Sequence, residues 1–248
     1  MSEKREFEAF DRDVDAHGGY VYVTNDRLSS RLATDRQVEL ILHLAHLQDR
    51  KAIDVGCGDG SFSVQYWDSG HPSRLVGIDP VEKAIAVANA RKGARPIEFA
   101  TVNAVRLPYP DRSFDVAILQ GVLHHTNRPA DTIKEVLRVA PEIVVVEPNG
   151  YSPILKVLEK ASSYHRAHHE QSYTSRTLDR WVRDAGGEVL DRRFAILVPY
   201  FCPDWLARVL KRVEPLVEAL PLANRLACAV YVFRARLVKP EASPFNPR

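Results

Sequence analysis

Cysteine is sparse: Cys57, Cys202 and Cys228 are the only three in 248 residues, an odd number with no Cys-x-x-Cys and no pair spacing. Neither a disulfide framework nor a structural zinc site is indicated, and each thiol reads as a small buried or loop residue. Long apolar runs are missing as well. Phe194 to Val198 and Leu226 to Phe233 are the longest, well short of the roughly 20 residues that a membrane-crossing helix takes. The polar N-terminus has no secretory h-region, so a cytoplasmic protein is expected. Nor does one sign of charge dominate. Thirty-four Lys and Arg against 32 Asp and Glu leave a formal charge of +2, which argues against a polyanion-binding domain and so against nucleic acid as a partner.

What is present is an ordinary globular composition, 45% hydrophobic and 27% charged, in a chain long enough to bury one sizeable core. Residues 1–238 are expected to form a single domain, with 1–49 as an N-terminal lid and helix and with helical insertions at 151–173 and 199–222. Residues 239–248, which include Pro240, Pro244 and Pro247, are expected to be a disordered tail.

The rest of the chain is organised around Lys51-Ala-Ile-Asp-Val-Gly-Cys-Gly-Asp-Gly60. Ala52, Ile53 and Val55 suggest a short buried strand, and Gly56, Gly58 and Gly60 fall where that strand would turn into a helix and let a ligand approach the backbone. A dinucleotide fingerprint would space its glycines G-x-G-x-x-G, with an acid about 20 residues on for the ribose. Here they run G-x-G-x-G, with Asp54 two residues earlier and Asp79 closing a second apolar run.

At these residues the chain resembles the class I S-adenosylmethionine-dependent methyltransferases, whose first motif is acidic-x-G-x-G-x-G. The resemblance implies a Rossmann-like α/β fold: a doubly wound seven-stranded sheet with an antiparallel C-terminal strand. It also implies S-adenosylmethionine as cofactor. Asp54 would hold the methionine end, Gly56, Cys57 and Gly58 would pass beneath it, and Asp79, with Pro80 beside it, would take the ribose hydroxyls. Asn103 stands where the family often has an acid that reads the adenine amine; an amide oxygen can still accept that hydrogen bond, and Ala104 can offer a backbone N–H. Gln120 closes a fourth apolar run, Asp115 to Leu119, at the end that should face the sulfonium. Tyr22 and Arg31, ahead of the first motif, are candidates for a lid over the cofactor, or for simple packing of an N-terminal helix.

The candidate catalytic residues follow from placement at strand ends. His124 and His125, just after Gln120, are candidate general bases, or one packs and the other caps a short turn. Glu147 ends an apolar strand in Glu147-Pro-Asn-Gly150 and is a candidate base or substrate ligand, or half of a salt bridge. His165, in the run Tyr164 to Tyr173, is a candidate in an acceptor-facing insertion; a metal site there is not expected, because no Cys or Asp completes it. Later, Trp205 to Leu220 keeps an apolar helical stripe flanked by Arg208, Lys211 and Arg212. Such a stripe is expected to pack on the core or form a lid, with Pro215 starting a second helix and membrane-surface contact as the lesser reading.

The expected function is methyl transfer to the oxygen or nitrogen of a small-molecule acceptor, with a lipid-linked or glycan precursor among the choices. The rivals are a non-catalytic S-adenosylmethionine-binding regulator and a nicotinamide-dependent oxidoreductase.

Overall fold

A computed structural model describes residues 27–161 and 171–238. Among them the apolar runs become β1 (Lys51–Val55), β2 (Arg74–Asp79), β3 (Glu98–Thr101), β4 (Val116–Gln120), β5 (Glu142–Pro148), β6 (Gly187–Ala195) and β7 (Val230–Leu237). They form one sheet in the order β3-β2-β1-β4-β5-β7-β6. Strands β1 to β5 pair in parallel, and β7 runs antiparallel to both β5 and β6. This is the doubly wound, seven-stranded Rossmann-like sheet that the motifs implied.

Helices α1 (Leu28–Ala45), α2 (Ser61–Gly70), α3 (Glu82–Arg91), α4 (Pro129–Val139), α5 (Pro153–Ala161), α6 (Ser175–Asp184), α7 (Asp204–Ala219) and α8 (Pro221–Ala227) flank it. Successive side chains of a strand point to opposite faces, so each central strand feeds two cores. Ile53 and Val55 of β1 and Ile143 and Val145 of β5 join Ile133 and Val136 of α4 and Leu178 and Val182 of α6. Ala52, Ile118, Val144 and Val146 join Leu40, Ile41 and Leu44 of α1 and Tyr66 of α2 on the other face. Covered on both sides, these strands read as apolar runs rather than alternations.

Pro129 opens α4, as its fixed φ favours, and Thr174 caps α6 by accepting from the Thr177 N–H. Gly150 marks a close backbone approach. A Cβ built there would lie 2.4 Å from the Tyr173 carbonyl carbon, and its N–H donates to the Tyr173 oxygen at 3.0 Å. The end of β5 is thereby joined to the segment leading into α6.

Helix α1 starts at Leu28, with Ser29 and Ser30 buried and the Ser29 hydroxyl donating to the Tyr200 carbonyl at 3.0 Å. Two expectations need correcting. The second helix begins at Pro221, and α7 continues through Pro215. Two anchors flank that proline: Glu214 accepts from the Leu197 N–H at 3.0 Å, and Glu218 accepts from the Ile196 N–H at 3.1 Å. Also, α7 turns Glu214 and Ala207 inward with Leu206, Leu210 and Val217 half-buried, and leaves Trp205, Val209, Val213 and Leu216 exposed, so only part of the stripe packs as expected.

Arg36 of α1 reaches Glu218 at 2.5 Å and balances this buried acidic pair. Arg36→Ala should lower the unfolding free energy by about 1.5–3 kcal/mol, the range for hydrogen bonds to charged groups. A urea midpoint equal to that of the parent would show that the α1–α7 contact does not depend on this pair.

Candidate active site

The parallel register brings the carboxyl ends of β1 to β5 to one edge, and the strand order reverses between β1 and β4, where open α/β sheets bind ligands. Gly56, Gly58 and Gly60 lie there with φ of 73°, 55° and 75°. Side chains are also shut out sterically: a Cβ on Gly56 would sit 2.6 Å from Val122 Cγ2, and one on Gly60 2.8 Å from the Ala88 Cβ. The turn is tied down from within. The N–H groups of Gly56 and Cys57 both donate to the Ile78 carbonyl, at 2.7 and 2.9 Å, and Gly58 N–H donates to Asp79 at 3.0 Å. Asp79 also accepts from Val81 N–H at 2.9 Å, so it clamps the glycine turn to the start of α3.

Asp54, Asp59 and Asp79 are all buried around this turn. Asp59 is neutralised by Arg91 at 3.0 Å. Asp54 has Ser63 at 2.5 Å and Asp79 has its two backbone donors, but among the described residues no cation pairs with either. Burial, with the nearby Asp79 adding, lifts the Asp54 carboxyl to about 7. Burial likewise lifts Asp79 to about 6, against the pull of its backbone donors. Under-compensated carboxylates beside a side-chain-free backbone turn suit a ligand with positive charge and hydroxyls, which is what an ammonium, a sulfonium and a ribose present. The residues fit the implied cofactor. Burial also drives the Cys57 thiol upward, so it stays a neutral packing group whose backbone belongs to the turn.

Pro80 follows Asp79 at the same edge, and Asn103 and Ala104 are half-buried in the turn after β3. The Asn103 side-chain oxygen already accepts from the Val105 N–H at 3.1 Å, which fixes the amide and leaves its second lone pair. Gln120, at the end of β4, is held by other side chains. It accepts from the Tyr66 hydroxyl and donates to Gln37 at 2.7 Å, and Gln37 in turn donates to the Tyr200 hydroxyl. This polar chain joins β4, α2, α1 and the segment before α7, and no spacing in the sequence announces it.

Glu147 is fully buried at the end of β5. One oxygen accepts from Val122 N–H at 2.9 Å and Leu123 N–H at 2.7 Å; the other meets His124 Nδ1 at 2.8 Å and His124 N–H at 3.2 Å. It anchors the 3-10 turn Leu123–His125 that carries both histidines, whose ring centroids are 3.8 Å apart. Asn149 is another anchor, donating to the carbonyls of Arg225 and Cys228 at 2.9 and 2.8 Å. Arg31 stands exposed in the first turn of α1. Tyr22 and His165 lie outside the described residues. Among the described residues no group of three His, Cys, Asp or Glu could hold a metal ion.

An acid-flanked glycine turn at the switch point of a parallel sheet defines a nucleotide-type cofactor site. The family of the methyltransferase domain matches residues 53–142, and the sheet order is that of the class I S-adenosylmethionine-dependent methyltransferase fold. Magnesium protoporphyrin IX methyltransferase from Synechocystis PCC 6803, solved with bound SAH, has a TM-score of 0.63 over 95% of this chain and 98% of its own at 16% identity. The [4+2]-cyclase SpnF has a TM-score of 0.66 at 22% identity, over 94% of this chain and 93% of its own. These likenesses are of fold.

Among curated relatives, a tRNA U34 carboxymethyltransferase of Saccharophagus degradans is 32% identical over 97 residues, 38% of this chain and 30% of the relative. Relatives of Shewanella halifaxensis and Marinobacter nauticus carry the same name, and the chain spans about a third of the length of these relatives. Their name corrects two expectations, the small-molecule acceptor and the exclusion of nucleic acid. A net charge of +2 does not exclude polyanions, because a sum over the chain cancels paired charges. A phosphate backbone meets individual basic groups instead, such as the exposed Arg106 beside the site.

The lifted carboxyls set a pH dependence. An acid whose pKa rises on folding stays protonated in the native chain after the unfolded chain has lost its proton. Stability of the ligand-free protein therefore falls as pH climbs from the ordinary value of 3.8 through about 6 and about 7. A cationic ligand favours the ionised forms, so S-adenosylmethionine should bind more tightly as pH rises through that upper window, and release protons as it binds. Calorimetry in two buffers of different ionisation enthalpy reads this; no proton release would remove Asp54 and Asp79 from the ligand's surroundings. Asp79→Asn should weaken binding by about 1.5–3 kcal/mol in a protein that still folds.

Proposed function

We propose that the protein transfers the methyl group of S-adenosylmethionine to a nucleoside of tRNA. The observation that carries the cofactor half is the pair of buried carboxylates at the glycine turn that no cation among the described residues pairs with. The acceptor half is supported by the relatives named for tRNA, each similar to part of this chain. Once bound, the cofactor supplies an electron-poor methyl carbon.

On this reading the chain's own task is to hold and align. Asp54 takes the methionine end, Asp79 the ribose hydroxyls, and Asn103 with Ala104 the adenine edge. Glu147 sets the turn after β4 and, as a carboxylate acceptor, fixes the His124 proton on Nδ1. That leaves Nε2 as the basic nitrogen of His124, on the strand end nearest the switch point. With the His125 ring tilted against it, His124 is the base proposed for an acceptor that arrives protonated, and Glu147 is a positioning residue. An acceptor that arrives as a free lone pair needs only alignment along the C–S bond.

Incubation with methyl-labelled S-adenosylmethionine and bulk tRNA should place label in acid-insoluble, ribonuclease-sensitive material, and digestion with mass spectrometry should show a methylated nucleoside. Label found only in small molecules would sink the acceptor assignment, and a carboxymethyl increment would correct the transferred group. His124→Ala should lower kcat about 10²-fold or more while leaving cofactor affinity nearly intact, as expected for a general base. It should also abolish the rising limb of the kcat–pH profile. A profile of unchanged shape would assign the histidine to packing.

A further inference from the structure

Helix α7 draws its glutamates inward and leaves one apolar face exposed. Its inward side holds Glu214, 2% exposed, which Lys211 meets at 2.6 Å, and Glu218, which Arg36 meets at 2.5 Å. Its outward side carries Trp205, Val209, Val213, Leu216 and Leu220 at spacings that keep one helical face, and α8 adds Leu222. Trp205 is 68%, Leu216 65% and Leu222 72% exposed. Arg208 and Arg212 stand exposed one turn apart along the same face. Asp204, at the helix start, is the exposed acid of α7; its glutamates are drawn inward. The surface is thus apolar and cationic together, and among the described residues nothing covers it.

The chemistry of the face selects its occupant. A second copy related by a twofold axis would set Arg208 and Arg212 against their own kind with few carboxylates to answer them. An RNA strand would engage the arginines and stack on Trp205, but would leave the row of valines and leucines in water. An anionic bilayer meets every part: aliphatic side chains enter the headgroup–acyl boundary, Trp205 suits the interface, and the guanidinium groups reach lipid phosphates.

We propose that the α7–α8 face docks the protein in the plane of an anionic lipid surface. The contact is peripheral, since no helix among the described residues is long and apolar enough to cross a membrane. It also bears on the site. Asn149, just past β5, donates to the Arg225 carbonyl of α8 at 2.9 Å, and the Arg225 guanidinium lies 3.7 Å over the Tyr151 ring. Docking therefore brings the carboxyl end of β5 close to the bilayer. The proposal does not depend on the acceptor.

The test is cosedimentation of the full chain with phosphatidylglycerol–phosphatidylcholine vesicles and with phosphatidylcholine alone. Binding should favour the anionic vesicles, fall with salt, and weaken roughly fivefold for each of Arg208→Ala and Arg212→Ala. Val209→Glu with Leu216→Glu should abolish it, about tenfold or more, through lost apolar insertion. Both sets of variants should keep the parent's cofactor affinity, which shows that they fold. Equal pelleting with and without anionic lipid, or no effect of the glutamate pair, would overturn the proposal. So would a lipid-free dimer, or a tRNA complex, that the glutamate pair abolishes, because the face would then belong to that occupant.

Discussion

Parallel strands covered by helices on both faces have no water along their length, so their polar side chains collect at the carboxyl ends, where each must find donors or a counter-charge. Asp54, Asp79 and Glu147 all meet this constraint, and they resolve it differently. Glu147 is saturated by the protein itself, with backbone N–H groups and an imidazole filling both oxygens. Asp79 is half-satisfied by the turn it clamps, and Asp54 has a single hydroxyl. A carboxylate already carrying its full set of donors has little left to offer a substrate, whereas one left short is a standing demand for a ligand. The gradient from Glu147 to Asp54 therefore separates the framework of the site from its cofactor-facing wall.

This ordering also explains why the glycines matter beyond their flexibility. Gly56 has no room for a Cβ because Val122 leans on it, and Val122 is placed by Glu147. The turn after β1 and the turn after β4 are thus one packed unit, and the acid that builds the second limits the first. A change at Glu147 would be felt at Gly56 through Val122 without touching a ligand. Such coupling between neighbouring strand ends is how a parallel sheet makes a rigid ligand edge out of loops.

How much of this can be read from the sequence divides along local and non-local lines. The glycine turn, its acids and the βαβ rhythm are legible because strand, turn and helix there are contiguous and each is written in a few residues, Ala52 to Gly60 and Leu75 to Asp79. Thr174 as a cap and Pro129 as a helix start are legible for the same reason. Glu147 and Asn149 are visible as polar residues at a strand end, but their partners lie 23 to 25 and 76 to 79 positions away along the chain. Nothing in the local pattern says whether such a group will face a substrate or the back of a turn. The chain of hydrogen bonds from Tyr66 through Gln120 and Gln37 to Tyr200 spans separations of 54, 83 and 163 positions, and its members are individually ordinary.

Helix α7 shows the limit most sharply, because its periodicity is plain in the sequence and its orientation is not. A 3.6-residue repeat establishes that a helix has two faces; it does not say which one the rest of the protein will accept. Here partners outside the helix decide. The N–H groups of Ile196 and Leu197 leave β6 with no strand to bond, and glutamates at positions 214 and 218 are spaced to receive them while Arg36 supplies the counter-charge. Once those backbone donors are taken as fixed, turning the valines and leucines inward would bury unanswered N–H groups, at about 1–3 kcal/mol each. Exposing the apolar row has its own cost, about 1.5–3 kcal/mol for each large side chain, which a lipid surface receiving that row would remove. The same two glutamates that satisfy the end of β6 therefore determine which face α7 presents outward.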